Sequence, residues 1–163
     1  MSTIEMTDPL AVWQRGETVH GDLDYEVPYM TEIVPGLWQG GCANGLVLPD
    51  FIEHVVSLYP WERYVINMPL TSYMEVAMHD DCRAVDREQI EALARWVNVC
   101  RKTGPTLVHC QAGLNRSGLV VASALCLDGK GVYDTILHLR RIRSDAVLCN
   151  PRFVEHLIES YRR

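Results

Sequence analysis

The sequence predicts an α/β fold in which a central, mainly parallel, twisted sheet is flanked by helices. Short runs rich in β-branched residues, each ended by Pro or Gly, indicate buried strands. Longer segments with apolar residues at helical spacing follow, and the last part of the chain is a series of such segments. Strands that alternate with helices before a helical tail favour a parallel-centred sheet that is covered on both faces.

The strand predictions fall on four short segments that are β-branched or apolar and that end at Gly, Pro or a polar loop. These segments are residues 33–41, 54–59, 63–68 and 106–109. The first indicates a strand pair or a strand entering a turn, because Gly40 and Gly41 end it. The polar, mixed residues 1–31 are expected to form an amino-terminal arm or irregular lead-in, and residues 32–163 a single domain.

The helix predictions rest on apolar residues that recur at helical spacing. The segments are residues 86–102, 117–127, 132–142 and 151–161. Asp86 suits the cap of the first helix, which Gly104 and Pro105 then end. Asn150 suits the cap of the last helix, and Pro151 suits its first turn.

Charge and cysteine usage exclude several classes of protein. A formal net charge of -6 gives no general attraction to nucleic acid or to an anionic membrane. The longest apolar run, residues 119–127, is far shorter than the roughly 20 residues that cross a bilayer. The six cysteines contain no Cys-x-x-Cys pair, which indicates reduced thiols. We therefore expect a cytoplasmic protein with no membrane segment.

One loop between a predicted buried strand and the following helix has the residues of a catalytic site. Its sequence is His109-Cys110-Gln111-Ala112-Gly113-Leu114-Asn115-Arg116-Ser117-Gly118. A strand that ends in Cys, five further residues, and an Arg that opens a helix allow the backbone N–H groups to converge on one point. The helix N-terminus adds partial positive charge at that point. The pattern predicts a concavity that binds a tetrahedral anion.

Each residue type in this loop has an expected role. The positive field stabilises a thiolate, so Cys110 is the predicted nucleophile. Arg116 offers a planar fork for two phosphoryl oxygens, and Ser117 can donate a hydrogen bond to the sulfur. His109 is expected to support the loop through hydrogen bonds, and Gly113 permits a backbone conformation that a Cβ would oppose. The predicted phosphate-binding residues are Gln111, Ala112, Gly113, Leu114, Asn115 and Arg116.

The loop resembles the signature of the protein tyrosine phosphatase superfamily, and the chain resembles its compact dual-specificity branch from about Glu32 to Leu157. Residues 33–40 are similar to that branch's opening strand motif, and residues 150–153 resemble its late Asn-x-x-Phe segment. The resemblance implies a phosphatase-type fold and a cysteine-dependent protein-tyrosine or dual-specificity phosphatase. Such an enzyme works through a phosphocysteine intermediate and needs no cofactor.

The resemblance also implies a general acid, an Asp on a loop ahead of the cysteine, and such an acid typically contributes about 10² to 10⁴-fold. Asp80 and Asp81 both stand at that place. We prefer Asp81, because it lies closer to the following helix, and keep Asp80 as the alternative acid. Asp86 is better explained as the helix cap.

The expected substrate is a phosphorylated protein or a small phosphoester. No insertion resembles the phosphotyrosine-recognition loop of the larger tyrosine phosphatases, which implies a shallow pocket that reaches phosphotyrosine, phosphoserine and phosphothreonine. Asn115 before Arg116 also resembles the loop of RNA 5′-triphosphatases, so an RNA 5′ end stays an alternative, although the net charge of -6 disfavours it. A catalytically weak phospho-binding module is the other alternative.

The histidines and cysteines do not predict a metal site. His79 and Cys82 form one His-x-x-Cys pair, and His109 and Cys110 are neighbours. A structural zinc site usually has four ligands with close paired spacing, which these residues do not supply. We expect no bound metal.

Overall fold

The computed structural model describes residues 6–162. The strands form two sheets, and the first of these is a two-stranded hairpin near the amino terminus. In chain order the strands are β1 (Trp13–Glu17), β2 (Asp24–Pro28), β3 (Met30–Val34), β4 (Leu37–Gly40), β5 (His54–Ser57), β6 (Ser72–Glu75) and β7 (Thr106–His109).

Of the helices given next, the first precedes β7, the last strand of the main sheet, and the other three follow it along the chain. The helices are α1 (Arg87–Arg101), α2 (Arg116–Leu127), α3 (Val132–Ile142) and α4 (Pro151–Tyr161). No described helix combines the length and the hydropathy that a membrane crossing requires.

The main sheet has five strands in the order β3-β4-β7-β5-β6. β4, β7, β5 and β6 run parallel to one another. β3 pairs antiparallel with β4 at one edge, across a turn in which Gly36 takes a φ of +82° that favours glycine. The predicted α/β class with a mainly parallel central sheet flanked by helices is confirmed.

Side chains alternate between the two faces of this sheet and build two cores. Val56 and Val108 belong to the core that contains the apolar sides of the helices. Val55 and Leu107 belong to a second core, which residues of the long β4–β5 connection complete. In α2, ten consecutive residues from Ser117 to Cys126 are buried. The two elements on either side of the Cys-Arg loop, β7 and α2, are thus buried on all sides, which holds the ends of the loop in place.

The helix predictions are confirmed to within one or two residues at each end. α3 and α4 have the predicted bounds, α2 begins one residue earlier, and α1 lies within the predicted segment. The predicted caps also form. A side-chain oxygen of Asp86 accepts from the N–H of Gln89, and one of Asn150 accepts from the N–H of Arg152.

The strand prediction for residues 63–68 is wrong. In this segment Val65 makes an isolated bridge to Val47, and Val65, Ile66 and Met68 are exposed. The strand that pairs with β5 on the side away from β7 is β6, which follows Pro69. Strand propensity expresses the fit of a side chain to a half-buried sheet surface, and residues 63–68 find no such surface.

The prediction of an irregular lead-in is wrong for residues 13–28, which form the β1–β2 hairpin. Trp13 pairs with Pro28 and Glu17 with Asp24, in an antiparallel register. β1 lacks alternating apolar residues, and the one local strand signal is the short alternation of Tyr25 and Val27 with Asp24 and Glu26 in β2. Of the other lead-in residues, 1–5 lie outside the described residues, and the domain bounds of 32–163 stay a prediction.

The main sheet brings two segments together at one edge. β7 ends at His109, immediately before Cys110, and β6 ends at Glu75, immediately before residues 76–86, which contain both candidate acids. The carboxyl ends of parallel strands lie at a common edge, where ligands bind in open α/β sheets. The fold therefore places the Cys-Arg loop beside the acid segment, the name used below for residues 76–86.

Candidate active site

Residues 110–116 form the loop between β7 and α2, called the phosphate loop below. Together with the hairpin and the acid segment they line a cavity of about 590 Å³. Cys110 contributes to this lining although only 2% of its surface is exposed. A ligand in the cavity would therefore meet the sulfur at the inner end of a walled space.

The phosphate loop has bonded carbonyl groups and unbonded N–H groups. The carbonyl oxygens of Gln111 and Leu114 accept from the backbone N–H groups of Cys42 and Leu148, at 3.0 and 3.1 Å. The backbone N–H groups of residues 111–116 donate to no acceptor in the described part of the chain. Several free donors in one short loop, at the N-terminus of α2, form a cradle for an anion.

Three side chains from distant parts of the chain donate hydrogen bonds to the loop carbonyls of Ala112 and Gly113. Gln39 donates through Nε2 to the Gly113 oxygen at 2.9 Å, and Gln14 donates through Nε2 to the Ala112 oxygen at 2.5 Å. Arg143 donates to both, through Nε to Gly113 at 2.8 Å and through Nη2 to Ala112 at 3.2 Å. These bonds fix the loop before any ligand arrives.

Arg143 is a buried cation behind the phosphate loop. Its Nη1 donates to the carbonyl of Pro28 and to the hydroxyl of Thr31, each at 2.8 Å. Desolvation lowers the pKa of Arg143 to about 10, while Cys110 and nearby tyrosines, when ionised, oppose that shift. The side chain is therefore charged at neutral pH, and its charge favours an anionic Cys110 sulfur.

Arg116, the first residue of α2, has a buried guanidinium nitrogen without a hydrogen-bond partner among the described residues. Its Nη1 donates to the Met78 carbonyl at 3.0 Å, and the ring of Tyr59 lies 5.2 Å from the guanidinium carbon. Its Nε is buried and has no hydrogen-bond partner among the described residues. A buried donor of this kind usually has an acceptor, and an oxyanion bound in the phosphate loop would supply one.

Ser117 lies beside the cysteine sulfur. Its Oγ is 3.4 Å from Sγ of Cys110 and 3.4 Å from Nε2 of Gln39. Because the Gln39 amide can only donate to this oxygen, the hydroxyl hydrogen is free to point at the sulfur. Ser117 can therefore stabilise a thiolate.

His109 supports the loop as a neutral side chain. Its Nδ1 lies 3.2 Å from the carbonyl oxygen of Cys110, which can only accept, so Nδ1 is the donor. Burial lowers the pKa of His109 to about 4. The ring is uncharged at neutral pH and packs against the edge of Tyr64.

Gly113 is required by the close contact between the loop and the end of β4. Its φ is +72°, which is strained for residues with a Cβ. A Cβ at this position would also run into the backbone of Gly40 and Gly41 and into the Arg143 guanidinium. The glycine allows the loop to lie directly on the strand.

Of the two candidate acids, Asp80 lies at the cavity, and Asp81, which the sequence argument preferred, does not. Asp80 lines the cavity together with Cys110, whereas Asp81 lines a separate recess and bonds to Arg83. The Asp80 carboxylate accepts from Nδ2 of Asn115 at 3.0 Å and from Nδ2 of Asn150 at 2.9 Å. Proximity to the next helix does not determine which of two adjacent carboxylates faces the cavity, so the sequence argument had no power here.

Several residues of the site had no predicted role there. Asn150 was predicted only as a helix cap, yet it also donates to Asp80 and to the carbonyl of Asp81. Gln14 lies in the predicted lead-in. Gln39 and Arg143 lie outside the loop motif, and only their long-range contacts show their roles.

The cavity wall is mixed in charge. Two guanidinium groups, those of Arg15 and Arg116, and three carboxylates line it. The carboxylates are those of Glu17, Glu62 and Asp80. One guanidinium, that of Arg116, thus belongs to the phosphate loop, and the other, that of Arg15, lies on the hairpin wall together with Glu17. The hairpin gives the cavity a side that the sequence did not predict.

The described residues contain no group of three or more His, Cys, Asp or Glu side chains that could hold a metal ion. Cys42, Cys82, Cys100, Cys110 and Cys149 are free thiols.

A comparison with protein-family models decides the family. Residues 50–163 match the model described as dual specificity phosphatase, catalytic domain. The chain belongs to this family. It is a cysteine-dependent protein phosphatase of the protein-tyrosine and dual-specificity type, which confirms the resemblance and the enzyme class predicted from the sequence.

Viral and mammalian proteins are similar to this phosphatase. The vaccinia virus dual specificity protein phosphatase OPG106 is 23% identical over 141 residues, which cover 81% of this chain and 82% of the viral protein. Rat dual specificity protein phosphatase 15 is 26% identical over 129 residues, 75% of this chain and 52% of the rat protein. A crystal structure of a mouse putative dual specificity phosphatase superposes with a TM-score of 0.70 at 19% identity, covering 83% of this chain and 87% of the mouse chain. That structure has the same fold.

Proposed function

We propose that this phosphatase hydrolyses phosphotyrosine, phosphoserine and phosphothreonine in proteins through a phosphocysteine formed on Cys110. In the first step the Cys110 sulfur bonds to phosphorus, the bond from phosphorus to the ester oxygen breaks, and Asp80 gives its proton to that oxygen. In the second step water attacks phosphorus, Asp80 takes the proton from the water, and the sulfur leaves as a thiolate. Ser117 donates a hydrogen bond to that thiolate.

The observation that carries this proposal is the set of unbonded donors around the sulfur. The N–H groups of residues 111–116 and Nε of Arg116 have no acceptor among the described residues. A phosphoryl group on Cys110 would meet these donors, which are already held in place by the bonded carbonyls. Donors fixed before the reaction stabilise charge that develops during transfer.

The cavity wall supports a monoester over the RNA 5′-triphosphate alternative. Each added phosphate would extend the ligand's negative charge from the phosphate loop toward Glu17, Glu62 or Asp80. Like charges at short range disfavour binding. The net charge of -6 acts in the same direction.

The first experiment is hydrolysis of p-nitrophenyl phosphate in EDTA by the wild type, Cys110→Ser and Cys82→Ser. We expect wild-type turnover, a loss of at least about 10⁴-fold in Cys110→Ser, and wild-type rates in Cys82→Ser, whose thiol is exposed. Cys110→Ser should still bind vanadate, because the N–H groups and Arg116 remain. Turnover by Cys110→Ser, or an inactive wild type, would overturn the mechanism.

The same preparation tests the substrate class. Phosphotyrosine and phosphothreonine peptides should both be hydrolysed, and faster than a 5′-triphosphate RNA oligonucleotide at every salt concentration. Faster release of phosphate from the RNA would replace the proposal with the RNA alternative.

We also propose a cytoplasmic location. Free thiols that reach the surface, the exposed Cys82 and the partly exposed Cys149, suit a reducing compartment. Recovery of an intramolecular disulfide from protein isolated under thiol-blocking conditions would contradict it.

A further inference from the structure

The β1–β2 hairpin contacts both halves of the active site. Gln14 in β1 donates to Ala112 of the phosphate loop. His20, in the turn between the strands, contacts the acid segment: its Nε2 lies 3.2 Å from Oδ1 of Asp80 and 3.4 Å from the Asp80 carbonyl oxygen. The Asp80 carbonyl oxygen can only accept, so Nε2 carries the hydrogen.

The hairpin turn fixes the position of His20 by its own hydrogen bonds. Thr18 donates through Oγ1 to the His20 carbonyl at 2.6 Å and accepts at the same atom from the N–H of Leu23 at 2.9 Å. The N–H of Thr18 closes the turn on the Leu23 carbonyl at 2.8 Å. The His20 ring, whose side chain is 11% exposed, therefore comes to Asp80 on a preformed support.

Asp80, by contrast, lies in the acid segment, which contains no strand or helix. The Asp80 carboxylate contacts three side-chain donors. Oδ2 accepts from Asn115, and Oδ1 accepts from Asn150 and His20. Without His20, Oδ1 keeps one donor and the Asp80 carbonyl loses its contact with the hairpin.

We propose that His20 is a positioning residue for Asp80, through which the hairpin orients the proton donor of the reaction. The proposal rests on the proposed role of Asp80. The hairpin lies outside residues 50–163, the part that the family model matches. His20 touches neither the phosphate loop nor the sulfur in the structure, so its effect must pass through Asp80.

Proton donation matters more for a poor leaving group than for a good one, which gives a readout that separates positioning from general damage. The substrates are phenyl phosphate, whose phenolate leaves poorly, and p-nitrophenyl phosphate, whose nitrophenolate leaves well. The variants are His20→Ala, His20→Gln, Asp80→Asn and His20→Ala combined with Asp80→Asn. Asp22→Asn, an exposed substitution in the same turn, is the control.

In His20→Ala we expect kcat for phenyl phosphate to fall about tenfold, with a loss below about threefold for p-nitrophenyl phosphate and little change in KM. His20→Gln, which keeps an N–H donor, should recover most of the loss, and Asp22→Asn should resemble the wild type. In the double variant, His20→Ala should cost nothing further, because the residue it positions is gone.

Equal losses on both substrates, or losses that multiply in the double variant, would overturn the positioning role while leaving Asp80 as the acid. If Asp80→Asn itself shows no dependence on the leaving group, the role of Asp80 is wrong and the proposal for His20 falls with it. Melting temperatures of all variants identify any that fail to fold, and if His20→Ala is one of them, His20→Leu, which keeps the bulk of the side chain without a donor, takes its place in the same comparison.

Discussion

The phosphate loop and the acid segment are neighbours at the cavity and contact each other through Asn115 and Asp80, but they are held in different ways. The loop is anchored at both ends in buried elements, and its carbonyls bond to backbone groups and to three long-range side chains. The acid segment has no regular structure, and Asp80 is held only by side chains. The anion cradle is therefore part of the core, whereas the proposed acid, Asp80, depends on a few separate hydrogen bonds.

This difference predicts which kind of change damages each half. A change behind the loop disturbs packing and buried charge, so it alters both stability and activity. A change around Asp80 alters proton transfer and leaves most of the core intact. The following predictions use this contrast, from the largest expected effect to the smallest.

Replacing the acid gives the largest effect. Asp80→Asn should lower kcat by about 10² to 10⁴-fold, the usual contribution of a positioned acid, with a melting temperature close to that of the wild type. Asp81→Asn is the matched control, because the Asp81–Arg83 pair is exposed and such pairs contribute little. Phenyl phosphate kinetics give the measurement. A larger loss in Asp81→Asn would restore the assignment made from the sequence.

The second prediction concerns the pH dependence of stability on the loop side. Burial lowers the pKa of His109 to about 4, below the 6.5 of an unburied histidine. The unfolded state therefore binds the proton first as the pH falls, so stability present at pH 7 is lost between about pH 6.5 and pH 4. The full contribution is about 3 kcal/mol.

The variant His109→Asn tests this contribution, since Asn can still donate to the Cys110 carbonyl but does not titrate. Denaturant unfolding at pH 7, 5.5 and 4 should show a flatter pH dependence in the variant than in the wild type. His156, whose pKa burial also lowers, is present in both proteins and cancels in the difference. Parallel curves for the two proteins would show that His109 does not titrate in this range.

The contrast between the two halves also explains what the sequence could predict. The strand, the Cys-Arg loop and helix α2 are neighbours along the chain, so the local sequence determines their geometry, and residues 109–117 could be assigned expected roles. The surroundings of Asp80 come from Asn150 and His20, which are 70 and 60 residues away along the chain. No local pattern reports such contacts, which is why Asp81 was preferred.

The sequence did not predict the hairpin, or the contact of Arg143 with the phosphate loop, for a related reason. β1 has no apolar periodicity and β2 has only the short alternation of Tyr25 and Val27 with acidic residues, so the strand signal is weak. Long-range bonds such as that from Gln14 to Ala112 connect the hairpin to the loop. Arg143 follows a helix end where cations are common. Only the structure shows that this side chain turns inward to the loop carbonyls.

The third prediction concerns Arg143, whose guanidinium donates hydrogen bonds to the carbonyls of the phosphate loop. Arg143→Met should lower kcat by about 10²-fold, because the loop donors shift by a fraction of an ångström, and should also lower the melting temperature. Arg143→Lys should be intermediate, since an ammonium group cannot span four acceptors. Arg141→Met, which removes an exposed arginine two residues earlier, is the control. Activity and melting temperature of Arg143→Met that both equal the wild type would show that the loop holds its shape without this residue.

The smallest expected effect is at Ser117, whose role concerns a single hydrogen bond to the sulfur. Ser117→Ala should lower kcat by roughly tenfold, the value of one hydrogen bond to a charged group, while vanadate binding changes little. Ser123→Ala, another buried serine in α2, controls for the loss of a hydroxyl in the same helix. Because the thiolate leaves in the second step, Ser117→Ala should accumulate phosphocysteine in a rapid quench, as Ser123→Ala should not. A slower first step without accumulation would mean that Ser117 acts on the attack by Cys110 rather than on its release.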